Sequence, residues 1–147
     1  MKKGIVRIIE SLVERQSVGV LATYDELFPY CSLVAFAVTG ELRKLVFATM
    51  RDTRKYANMK TRPHVSMLID SRTNRAEDFN DAIAVTAIGT ASEPNSAERS
   101  SFAAVLLAKH PSLRDFLADP DCAVICIDVE KFVLVAHFKE VTEYVPE

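Results

Sequence analysis

Ile5, Ile8, Ile9, Leu12 and Val13 recur at the three- and four-residue spacing of one helix face, with Lys3, Arg7, Glu10, Glu14 and Arg15 on the other positions. The period then changes. Residues 17–24 read as a strand, 25–29 (Asp-Glu-Leu-Phe-Pro) as a turn, and 30–38 as a second strand with apolar or small side chains on both faces. Thr39-Gly40-Glu41 marks another turn before a strand at 44–49, so three consecutive strands make an antiparallel meander. A short helix is predicted over 51–60 with Asp52 as its N-cap. Arg62-Pro63 ends it, because the residue before proline avoids the helical region.

Beyond that point the pattern predicts a strand at 64–70, a polar loop at 71–81 and a strand at 82–91. Asn95 and Glu98 have the spacing of a capping box, and the helix they open offers Phe102, Val105 and Leu106 as a core face before Lys109-His110-Pro111 closes it. A helical turn at 113–117 and strands at 121–128 and 131–144 complete the chain. The order α, β, β, β, α, β, β, α, β, β argues an α+β class and one domain over 1–147. It supplies enough antiparallel strands to close a barrel.

Composition narrows the function classes. The 147 residues carry a net charge of −2, which gives no reason to expect nucleic-acid binding. No apolar run approaches the ~20 residues of a membrane span, and Arg7 and Glu10 break up any secretion signal. A cytoplasmic protein is expected. Cys122 and Cys126, four apart on one strand, would stand ~13 Å from each other, too far for a disulfide. With Cys31 they are expected as three buried free thiols. His64, His110 and His137 have no metal-ligand spacing, and His110 reads as a cap at a helix end. His137, in an apolar segment, is open to a structural role, to proton donation or to ligation of a haem.

The most unusual stretch is 51–62. Arg51, Arg54, Lys55, Lys60 and Arg62 stand against one acid, Asp52, a local charge of +4 in an acidic chain, with Thr49 just before and Thr53 inside. Hydroxyls, guanidinium and ammonium groups at a strand-to-helix junction suit an anion. The helix N-terminus adds unpaired N–H groups and partial positive charge, and Arg can bond phosphate in bidentate pairs. A solvated basic face is the plainer alternative.

Phe47-Ala48-Thr49-Met50-Arg51-Asp52-Thr53-Arg54-Lys55 resembles the phosphate-binding segment of the FMN-binding split barrels related to pyridoxamine 5′-phosphate oxidase. Val20-Leu21-Ala22-Thr23 with Pro29-Tyr30-Cys31-Ser32-Leu33-Val34 is similar to that family's opening hairpin. Arg62-Pro63-His64-Val65-Ser66 after Asn58 resembles its helix-to-strand passage, and Val135-Ala136-His137-Phe138 its final strand. The resemblance implies an antiparallel split β-barrel that binds FMN at the interface of a homodimer. Thr49, Thr53, Arg54 and Lys55 would hold the FMN phosphate, and Ser32, Leu33 and Val34 would lie along the flavin ring. Arg72 and Asn74, in the polar loop, would approach the ring edge or the substrate mouth.

The sequence departs from the oxidase itself. Where that enzyme has an Arg-Gln pair this chain reads Ala82-Ile83-Ala84-Val85, and it contains no Trp. The resemblance therefore implies flavin-dependent oxidoreduction of a small molecule other than the vitamin phosphate. The residues leave three alternatives open: a flavin-binding or sensing protein without turnover, a haem-binding protein, and a protein using the deazaflavin F420 on the same barrel.

Overall fold

The computed structural model describes residues 2–147. Helix α1 (Lys2–Arg15) leads into strands β1 (Val18–Tyr24), β2 (Pro29–Thr39) and β3 (Lys44–Met50). Helix α2 (Arg54–Thr61), strand β4 (His64–Asp70), the single-turn α3 (Asp78–Asp81) and strand β5 (Ile83–Ser92) follow. Helix α4 (Ser96–Lys109), a 3-10 turn (Pro111–Leu113), α5 (Arg114–Ala118), β6 (Cys122–Ala136) and β7 (Glu140–Tyr144) complete the chain.

The sheet order is β3-β2-β1-β4-β5-β6-β7, and an additional ladder joins β3 to β6. Six antiparallel strands thus close into a barrel, with β7 as a hairpin extension of β6, and the α+β split-barrel expectation holds. Closure depends on two long strands that change partners. The first half of β2 pairs with β1 (Pro29 to Ala35), its second half with β3 (Phe36 to Thr39). Along β6, residues 122–128 pair with β3 and 132–136 with β7, while β5 runs beside both parts.

Inward positions of every strand meet in one core, where Phe36, Phe47 and Phe132 are fully buried. The amphipathic stripe of α1 supplies Ile9 and Leu12 to that core, while α2 supplies Tyr56 and Met59. Outside the barrel, α4 and α5 bury Leu106 and Leu117 against Ala37, Val46 and Val124. Leu33 and Val18, on the outer faces of β2 and β1, stay exposed.

Several boundaries differ from the sequence expectation. The N-cap of α2 is Thr53, not Asp52, and the helix starts at Arg54, not 51: the Thr53 hydroxyl accepts from the Tyr56 N–H, while 51–52 form a turn. The expected loop at 71–81 ends in α3, which gathers the polar chain around Asp78. One continuous β6 replaces the expected break near 129–130, and the reversal falls inside the predicted 131–144 strand. His137 and Phe138 turn the chain there with φ of 53° and 58°, so His137 lies in a turn. Those left-handed angles carry neither Gly nor Asn, the residues that ordinarily announce such a turn.

Gly89 is where β6 shifts its register on β5, between Ile88 and Gly89. A Cβ there would stand 2.1 Å from the Asp128 carbonyl oxygen. The backbones touch because the bulge bends β6 from its β5–β7 half toward β3. Gly89→Ala is expected to destabilise the protein by ~1–3 kcal/mol through overpacking. A urea unfolding midpoint checks it, and an unchanged midpoint would place the bend elsewhere.

Candidate functional site

The barrel is open where β2 and β3 part. Their ladder ends at the Phe36–Phe47 pair, so residues 29–35 of β2 are bonded only to β1 along that stretch, and 48–50 of β3 only to β6. No pairing joins the two edges among the described residues. An unpaired edge presents backbone N–H and C=O groups ready for another partner. Of the residues expected beside a flavin ring, Ser32 is half-buried on this stretch, Val34 points into the core and Leu33 is 72% exposed on the outer face. Val34 therefore offers only backbone groups. The strand is not buried on both faces as its composition suggested, and Cys31 beside Ser32 is an exposed thiol, while Cys122 and Cys126 are buried.

β3 delivers the anion-binding candidates to this gap. Thr49, the penultimate residue of β3, is 1% exposed, and its hydroxyl lies 3.0 Å from that of Thr53. Thr53 Oγ1 also donates to the Met50 carbonyl at 2.8 Å and receives the Tyr56 N–H at 3.3 Å. The two hydroxyls thus fold 49–53 into a tight turn and open α2 at Arg54. The unpaired N–H groups of the first helical turn lie next to this pair.

The basic run divides into engaged and available cations. Arg51 Nη1 donates to the carbonyls of Pro120 and Cys122 at 3.1 and 3.3 Å, and Nη2 pairs with Glu93. Arg62 pairs with Glu26 at 3.7 Å and lies 6.0 Å from the Tyr24 ring centroid, while Lys60 stands over Tyr56. Arg54 is more open: its side chain is 60% exposed, 3.5 Å from Asp25 and 5.6 Å from the Tyr30 ring centroid. Lys55 has no ion pair or hydrogen-bonded partner among the described residues. Asp25 Oδ1 accepts the Phe28 and Leu27 N–H groups, which chiefly hold its carboxyl below the usual carboxylate range and keep it an anionic partner for Arg54. Tyr30 lies two residues before Ser32, so Arg54 joins the α2 N-terminus to the free edge of β2.

Arg72 and Asn74 form a separate cluster. Arg72 grips Asp70 through two nitrogens, at 2.6 and 3.0 Å, and the Asn74 N–H donates to Asp78 at 2.8 Å. Their contacts within the chain do not reach β2, β3 or α2. In the neighbouring β6–β7 turn, His137 Nδ1 bonds the Asn80 carbonyl, and Phe138 packs on Phe79 with ring centroids 5.0 Å apart. His110 caps α4 as expected, with its Nε2 on the Phe36 carbonyl at 2.8 Å.

Sequence reasoning missed Asp25, Tyr56 and Glu93. Tyr56 Oη donates to Glu93 at 2.6 Å, which raises the phenol pKa. Partial burial pushes the Glu93 carboxyl upward, but hydrogen bonds from Tyr56 and Arg51 outweigh it and leave that carboxyl below its usual range. Neither contact has a local signature, since 37 and 42 residues separate the partners. A groove of about 670 Å³, walled by Tyr24, Leu27, Phe28 and Ile88, borders the basic run at Asp25, beside Arg54, and at Tyr24 and Glu26, beside Arg62.

The fold recurs in solved structures. A heme binding protein from Mycobacterium smegmatis superposes with a TM-score of 0.81 at 20% identity, over 95% of this chain and 56% of that protein. This chain therefore spans little more than half of that relative. General stress protein 26 from Bacillus anthracis gives 0.70 at 21% identity over 97% and 98% of the two chains. A FAD-binding protein from Mesorhizobium loti gives 0.66 at 20% identity over 85% and 89%. No curated protein matches the sequence. The family model described as pyridoxamine 5′-phosphate oxidase matches residues 6–136, from α1 to the end of β6, and the chain belongs to that family.

Proposed function

We propose that the protein binds FMN in the gap between β2 and β3 and uses it in oxidoreduction of a small molecule. The observation that carries this reading is the paired Thr49 and Thr53 hydroxyls at the N-terminus of α2, with Arg54 and Lys55 beside them. A terminal phosphate carries a charge of ~−1.5 to −2 at neutral pH. Two available cations suit one such group better than the diphosphate of a dinucleotide, which favours FMN over FAD. The ring would extend from the phosphate along β2, where Ser32, Leu33 and Val34 supply backbone groups on an unpaired edge. Bound FMN would supply hydride or electron transfer, while the chain anchors, orients and shields it.

The uncovered wall supports a homodimer. Leu33, Val20 and Leu68 form one row across β2, β1 and β4, and Ala35 with Val18 extends the apolar face. Leu33 is 72% and Val18 52% exposed. A contiguous apolar face of this kind marks an interaction surface. A second copy seated there would enclose the edge of β2. Arg72 and Asn74, apart from the phosphate site within one chain, would then be available to the other copy's flavin. Family membership and the FAD-binding relative support a flavin reading, while neither identifies the substrate.

A second reading, haem, draws on His137. A ligating histidine ordinarily donates its other ring nitrogen to a carbonyl or carboxylate, and Nδ1 of His137 lies on the Asn80 carbonyl with its ring exposed in the turn. One set of spectra separates the readings. FMN binding with oxidation of NADH or NADPH supports the oxidoreductase, and FMN binding without turnover supports a sensor. A Soret band with haemin that disappears in His137→Ala supports haem.

A further inference from the structure

We propose that Glu93 is a positioning residue for the phosphate-binding turn: its carboxylate grips Arg51 on one side of Thr53 and Tyr56 on the other, fixing the N-terminus of α2 in the gap between β2 and β3. The proposal rests on the FMN reading above. One carboxylate spans the turn, with Oε1 receiving Tyr56 Oη at 2.6 Å and Oε2 receiving Arg51 Nη2. Arg51 carries the grip onward, since its Nη1 holds the Pro120 and Cys122 carbonyls and its backbone N–H donates to the Asp121 carbonyl at 3.0 Å. The turn is thus tied to the first residues of β6. Tyr56 is 7% exposed and belongs to the barrel core, so its ring is a fixed post.

The base of the clamp is firm as well. Glu93 directly follows β5 and precedes Pro94, whose ring fixes φ, and Asn95, the N-cap of α4. The first N–H groups of α2 bind an anion only while they converge on one point, and that direction is set by the 49–53 turn. Glu93 does not reach the phosphate site itself and acts through Arg51 and Tyr56.

The sign of the effect separates positioning from charge. Glu93 is an anion close to a basic site, so electrostatics alone makes its removal strengthen phosphate binding. Positioning makes removal weaken it. In the full-length protein, Glu93→Ala is expected to weaken FMN binding about three- to tenfold, the effect of losing about one hydrogen bond's worth of order. It is also expected to speed hydrogen exchange of the Tyr56 and Ala57 amides, while the melting temperature moves by only a few degrees. Glu93→Gln, which keeps an acceptor for Tyr56 without the charge for Arg51, should fall between. FMN affinity that is unchanged or tighter in Glu93→Ala, or unaltered exchange at 56–57, would overturn the proposal. If wild-type protein fails to bind FMN, the functional reading falls, and the exchange rates alone decide whether Glu93 holds the turn.

Discussion

Leu33→Asp is expected to convert the protein to monomers and to remove most of its FMN affinity. Leu33 is 72% exposed in the single chain and sits in the row Leu33–Val20–Leu68 on the outer barrel wall. The inward neighbours Val34 and Phe36 belong to the core, so a change at Leu33 leaves the barrel's packing intact. Across a two-fold interface one substitution places two carboxylates in an apolar contact. Each uncompensated buried charge costs several kcal/mol. Sedimentation or light scattering reads the association state, and circular dichroism reads the fold. A wild-type dimer and a folded mutant monomer with flavin affinity reduced by about a hundredfold or more would support the interface. A mutant that still dimerises and binds FMN normally would move the interface to another face.

Arg54→Ala is the second large effect. Arg54 projects from the first position of α2 with 60% of its side chain exposed, paired with Asp25 and lying by the Tyr30 ring. Its removal therefore disturbs little packing. A charged hydrogen bond to phosphate contributes about 1.5–3 kcal/mol, so FMN should dissociate roughly ten to a hundred times more readily. Arg51→Ala is not equivalent, since Arg51 faces Glu93 and two carbonyls. Isothermal titration of Arg54→Ala checks the figure, with the unfolding midpoint as control. Unchanged affinity would exclude Arg54 from the site.

The strands were legible in the sequence because half-buried walls alternate in burial: β1, β4 and β5 switch between buried and more exposed positions along their length. The N-cap of α4 was legible because the Asn95 side chain accepts the Glu98 N–H three residues on. What failed lay where tertiary contact overrides local pattern. Asp52 looked like the cap of α2, but Thr53 holds that place through its link to Thr49 and the Met50 carbonyl. The charged stretch Asp128-Val129-Glu130-Lys131 looked like a break, yet β6 passes through it opposite the register shift at Gly89. For the site, the sequence showed the basic run as one block of charge. Only the fold separates Arg51 and Arg62, engaged by Glu93 and Glu26, from Arg54 and Lys55. Those partners lie 36 to 42 residues away in sequence, beyond any motif.

The central claim is that Thr53, Arg54, Lys55 and the first turn of α2, with the buried Thr49 hydroxyl bonded behind Thr53, hold a terminal phosphate. A fluorescence titration of the purified protein with FMN and with riboflavin tests it, because the two ligands share the ring and differ only in that phosphate. Saturable binding of FMN at one per chain, with riboflavin weaker by about a hundredfold or more, is the predicted result. Equal affinity for the two, or no binding of FMN, would contradict it.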